Sequence, residues 1–82
     1  MSNKQAVLIK ADDEWEGLYV SNKLVEEGDP INEGVERLTY FAMLARLYNF
    51  NLSDILVKEP SKELQEEIYG TGNFPEFWEE EN

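Results

Sequence analysis

The chain has 82 residues, 18 of them acidic and 7 basic, with no histidine and no cysteine, for a formal net charge of −11. That length bounds it to one small domain, and the two missing residue types exclude Ser-His and Cys-His catalytic pairs, disulfides and thiolate metal sites. With 41% apolar residues and ten aromatics it is too hydrophobic to stay disordered.

The apolar run from Gln5 to Lys10 predicts a short strand with both faces partly covered. After the break at Ala11 to Glu14, the segment Trp15 to Val20 is rich in aromatic and β-favouring residues. Ser21-Asn22 then leads into Lys23-Leu24-Val25-Glu26, as a two-residue hairpin turn would. The expectation is an antiparallel three-stranded meander over residues 5 to 27, ended by Gly28-Asp29-Pro30. A helix is predicted from Glu33 to Tyr48, with Asp29 or Asn32 as its cap. Val35, Leu38, Phe41, Ala42, Ala45 and Tyr48 form its first apolar face, and Tyr40, Met43, Leu44 and Leu47 cover much of the remainder. Asn49-Phe50-Asn51 reads as the stop, and Asp54 to Lys58 as a fourth strand. Pro60 and Ser61 open a second helix through Tyr69, closed by Gly70 and Gly72. Residues 1 to 72 are thus expected to form the domain, and residues 73 to 82 an acidic, aromatic tail that folds back or serves as a short binding segment.

The W-x-x-L-Y, K-L-V and E-G elements of Glu14 to Gly28, carried here by Trp15, Leu18, Tyr19, Lys23, Leu24, Val25, Glu27 and Gly28, resemble the opening of small uncharacterised proteins of phages and bacteria. In those proteins the turn is usually Asp-Gly, where this chain has Ser21-Asn22, and the end is Leu-Pro or Phe-Pro, as at Phe74-Pro75. The resemblance implies a hairpin-opened fold and a phage or mobile-element origin. It brings no site residues.

Charge is unevenly distributed. Asp12 to Glu36 holds nine acids and one lysine, Glu59 to Asn82 holds eight acids and one lysine, and Arg37 to Lys58 between them is net positive by two. Concentrated like charge destabilises a compact state while serving solubility and partner choice, so the pattern points to a basic partner. It disfavours direct contact with nucleic acid or an anionic membrane. No stretch approaches the ~18 apolar residues of a membrane span, and the N-terminal apolar run is too short for a signal-peptide core. The chain therefore reads as soluble and unprocessed, and the absence of cysteine fits a reducing cytoplasm.

Chemistry finds little support in the residues. The glycines form no phosphate cradle, and Gly70-Thr71-Gly72 fits a helix stop. Paired carboxylates are plentiful, but glycosidase-like work needs two held across a cleft, one with a raised pKa, and these cluster on what should be solvated surface. Asp12, Asp13, Glu14 and Glu16 lack the calcium-loop layout, and a solvated acidic turn accounts for them. No metal or cofactor is expected.

The reading that uses the charge as a whole is mimicry of nucleic acid. If Asp12, Glu14 and Glu16 continue a strand, they lie on one side at ~6.8 Å intervals. On the second helix Glu59, Glu63, Glu66 and Glu67 share a side, at a cost of ~0.2 to 0.5 kcal/mol per like-charge pair. Plain solvated faces are the competing account, equally able to explain high solubility.

The expected architecture is α+β in the order β-β-β-α-β-α, a mainly antiparallel sheet with both helices on one face. The expected function is non-enzymatic: an acidic phage or mobile-element inhibitor that blocks a nucleic-acid-handling host protein. Asp12, Asp13, Glu14, Glu16, Glu63, Glu66 and Glu67 would supply charge, and Trp15, Tyr19 and Trp78 the anchors. A homodimer through Tyr40, Met43, Leu44 and Leu47 is the companion expectation. The alternatives are a homo-oligomer holding a signalling nucleotide near Arg37, Arg46 and Lys58, and an acidic structural or regulatory module.

Overall fold

The structure is a computed structural model and describes residues 4–11, 15–32, 34 and 36–78. Four strands and two helices follow in the expected order: β1 (Ala6–Lys10), β2 (Glu16–Val20), β3 (Lys23–Gly28), α1 (Arg37–Tyr48), β4 (Leu56–Lys58) and α2 (Lys62–Thr71). A single 3-10 turn, Leu52–Asp54, precedes β4 and takes the first residue of the expected strand. The sheet runs β3-β2-β1-β4, antiparallel in the meander and parallel between β1 and β4. Since β3 and β4 point the same way, a crossover is required, and α1 provides it.

Local chemistry explains the boundaries. Ser21 and Asn22 both have positive φ (52° and 68°), as a two-residue turn matched to the strand twist requires. Gly28 cannot carry a side chain, because a Cβ there would lie 2.7 Å from the Ile31 Cα. Asn49 in the left-handed region stops α1, its N–H reaching the Ala45 carbonyl. The Ser61 hydroxyl accepts from the Leu64 N–H at 3.1 Å to cap α2, and Gly72 at φ 79° closes it.

Two expectations are corrected. The helices do not share a face. Ala6, Leu8, Leu18 and Val20 meet Phe41, Leu44 and Ala45 of α1 on one side, while Val7, Ile9 and Tyr19 meet Leu64 and Ile68 of α2 on the other. Strands β1 and β2 are apolar on both sides, so each face needs its own cover. Helix α1 also starts at Arg37 rather than Glu33, without a side-chain cap on its N-cap residue Glu36. The preceding loop is spent elsewhere: the Ile31 N–H donates to Glu16 Oε1, and the Asn32 carbonyl accepts from Arg37.

The segment after α2 lies against the sheet. Phe74 is buried beside Ile9 and Tyr19, and its ring comes so close to Gly17 that a Cβ would sit 2.8 Å away. Phe77 bridges Lys23, the Leu24 N–H donates to the Glu76 carbonyl, and the Trp78 N–H donates to the Asn22 carbonyl. This short pairing covers the outer edge of β3.

Candidate functional site

Helix α2 turns Leu64 and Ile68 into the sheet, which leaves Glu63, Glu66 and Glu67 on its outward side. All three are exposed, and none forms an ion pair among the described residues. Lys62, whose spacing would suit Glu66, forms no bridge to it. The bulge at Leu18/Tyr19 sets the register of β3 so that Glu27 points to this same face and accepts from the Phe74 N–H at 3.2 Å. Exposed Glu59 and Glu76 stand at the two ends of the α2 and tail layer. The negative field is felt inside the protein: burial, then Glu27, then Glu67 push the Tyr19 hydroxyl well above the ordinary tyrosine range.

The aromatic residues expected to anchor a partner mostly anchor the fold. Tyr19 is fully buried and donates its hydroxyl hydrogen to the Pro75 carbonyl at 2.7 Å, so it is not an exposed contact residue. Trp15 is half-buried against Phe74 and Tyr69, with ring centroids 5.6 and 5.7 Å away. Trp78, also half-buried, lies 5.9 Å from the Tyr19 ring. Each tryptophan keeps only a rim toward solvent.

Glu16 is a further correction. Expected on the acidic surface, it is 1% exposed, and both carboxylate oxygens accept from the Arg37 guanidinium at 2.9 and 2.8 Å. Lys10 is 3.9 Å away and half-exposed. The Arg37 guanidinium also sits 4.8 Å above the Phe41 ring. This cluster ties β2 to the start of α1, takes Glu16 out of any surface role and leaves Arg37 one-third exposed with its charge engaged. Asp12, Asp13 and Glu14 lie outside the described residues. Among the described residues no group of acids could hold a metal ion.

The opposite face has another character. Phe41, Leu44 and Ala45 turn inward, so Leu44 is removed from the expected dimer contact. Tyr40 is half-buried and donates its hydroxyl to Glu26, a bond that, with burial second, pushes its own pKa up. Met43 and Leu47 remain exposed, flanking a shallow hollow with Thr39, Ala42 and Arg46. Leu38, placed above on the first apolar face with Phe41, is exposed as well. Between the start of α1 and β4 runs an open groove of about 570 Å³, lined by Arg37, Leu38, Phe41, Leu52, Ile55 and Val57 over Leu8. The molecule thus has an acidic side on α2 and an acid-poor, partly apolar side on α1. No described helix is long and apolar enough to cross a membrane.

No family model matches the chain, and no match was found among the curated proteins or the solved structures.

Proposed function

We propose that this is a non-enzymatic acidic binding protein, a phage or mobile-element inhibitor that blocks a nucleic-acid-handling host protein by offering its α2 face in place of the phosphate backbone. The observation that carries the reading is the sorting of charge. Glu63, Glu66 and Glu67 stand outward and unpaired on one side, with Glu27 on the same face, while α1 contains no acid. Unpaired like charge on one helix costs stability, and a basic groove would return that cost on binding. Trp78 and Trp15, each with an exposed rim at the border of this face, would contribute apolar contact area.

The test is capture of host proteins from lysate at low and high salt. The expected result is a nucleic-acid-binding protein that is released at high salt and competed by duplex DNA. Replacing Glu63, Glu66 and Glu67 together with glutamine should abolish the capture. Undiminished binding by that variant would exclude the α2 face as the contact.

A homo-oligomeric reading is favoured by one separate observation, the exposed Met43 and Leu47 of α1. Its nucleotide-binding version is weakened because Arg37 is engaged by Glu16.

A further inference from the structure

We propose that the outer edge of β4 docks a second copy of this chain, so that two sheets join across an antiparallel β4 to β4 contact. The sheet has two edges, and the chain treats them differently. Its own tail pairs along β3, whereas among the described residues no further strand pairs with β4. An uncovered strand edge is a template for pairing, and soluble proteins commonly protect one with charge, proline or a covering segment. Here the edge carries Leu56 and Val57, which are 46% and 61% exposed, beside Leu38 at 71%. Val57 and Leu38 are brought together by the fold, since they line the same groove on the α1 side, while Leu56 is exposed on the other side of the strand.

A second copy fits this edge for two reasons. The first is register. Val57 pairs with Leu8 in the parallel ladder and therefore shares the α1 face, while Leu56 and Lys58 share the α2 face. A two-fold axis at Val57 sets Val57 against Val57 and Leu56 against Lys58 of the second copy. The second reason is long-range charge. The segment Arg37 to Lys58 is net positive by two in a chain of net charge −11, so copies meeting here approach by their least acidic side. The axis passes through the sheet, so both α1 helices lie on one side, where Leu38 and the groove of each copy flank the joint. Both α2 helices lie on the other side and would make one longer acidic surface. That last consequence bears on the proposed function, but pairing at β4 does not depend on it.

The chain has no cysteine, so a single introduced thiol reports the geometry without background. Paired residues on antiparallel strands have Cα atoms about 4.5 to 5.5 Å apart, within disulfide reach. Val57→Cys should therefore oxidise to a covalent dimer at twice the 9.5 kDa chain mass, and Met43→Cys should not. Untagged native chain should show a dimer fraction by light scattering that rises with salt as repulsion between copies is screened. This is opposite in sign to the salt response of the partner complex, so the two proposals fail separately. Val57→Asp should give a monomer with an unchanged circular dichroism spectrum. The proposal is overturned if native chain stays monomeric at every concentration and salt level, even if a foreign extended peptide binds at β4. It is equally overturned if Met43→Cys cross-links in place of Val57→Cys, or if Val57→Asp remains a dimer.

Discussion

Glu16 lies at the start of β2 with its carboxylate turned into the protein, and its partners show how one residue organises a neighbourhood. Arg37 meets both oxygens, the Ile31 N–H reaches one of them, and the loop between β3 and α1 closes around the pair. A buried carboxylate that loses its cation is left uncompensated, which costs more than the pair contributes. Arg37→Met should therefore lower stability by about 3 kcal/mol, the low end of the usual range because Arg37 is one-third exposed. Glu16→Met in that background should recover part of the loss in denaturant melts. If the double variant is as unstable as the sum of the single ones, the pair is not the unit described. Tyr19 yields a pH prediction. Below its ordinary pKa of 10.0 both folded and unfolded chains keep the phenol proton, so stability is unaffected there. Above about pH 10 the unfolded chain releases the proton while the folded one retains it, so stability falls as pH rises, by at most about 1.4 kcal/mol per unit. Tyr19→Phe should make this alkaline decline shallower in melts between neutral and alkaline pH. Tyr40, whose hydroxyl is held by Glu26, retains its own share.

The elements show where periodicity in the chain sufficed and where it did not. The meander was legible because two apolar, β-favouring runs, a two-residue turn and Gly28 all agree on it. The rotation of α1 about its axis was not. Two apolar faces compete on this helix, and the buried stripe takes from both: Phe41 and Ala45, from the first face, turn inward with Leu44, from the second, on the side where Arg37 meets Glu16. Leu38 and Ala42 are carried outward by the same rotation. Few local signs in the chain disclose a choice made by a residue on another element. The tail is held through a comparable long-range fit, the Phe74 ring lying over Gly17. Gly17→Ala should cost about 1 to 3 kcal/mol, because the added methyl meets a ring that has little room to move. Phe74→Ala alone should cost about 3 to 5 kcal/mol. In that background the Gly17→Ala penalty should nearly vanish, as measured by chemical unfolding. An undiminished penalty would place the clash elsewhere.

At the scale of the whole molecule, charge is sorted by face rather than spread. On α2, Glu63 faces Glu66 and Glu67 at three and four residues, so removing the latter two relieves repulsion, while Glu63 in the first turn still favours the helix dipole. Glu66→Gln with Glu67→Gln should therefore raise Tm by about 2 to 8 °C at low salt, with the gain shrinking as salt increases. A fall in Tm would show that these acids support the fold. A rise accompanied by loss of partner binding would mark a stability cost retained for recognition. By itself the sequence determined the fold class and the order of the elements, because apolar runs, turn residues and the Ser61 and Gly72 boundaries of α2 act over a few neighbours. It also determined that the surface would be acidic, since the carboxylates far outnumber their possible partners. Only the tertiary structure decided that the helices lie on opposite faces, because that depends on two-sided burial of β1 and β2. It alone withdrew Glu16, Tyr19 and Leu44 from the surface and exposed Leu38 and Val57. Which charges meet solvent and which meet one another is set by contacts between residues far apart in the chain, and that geometry separates an acidic α2 face from an acid-poor α1 side.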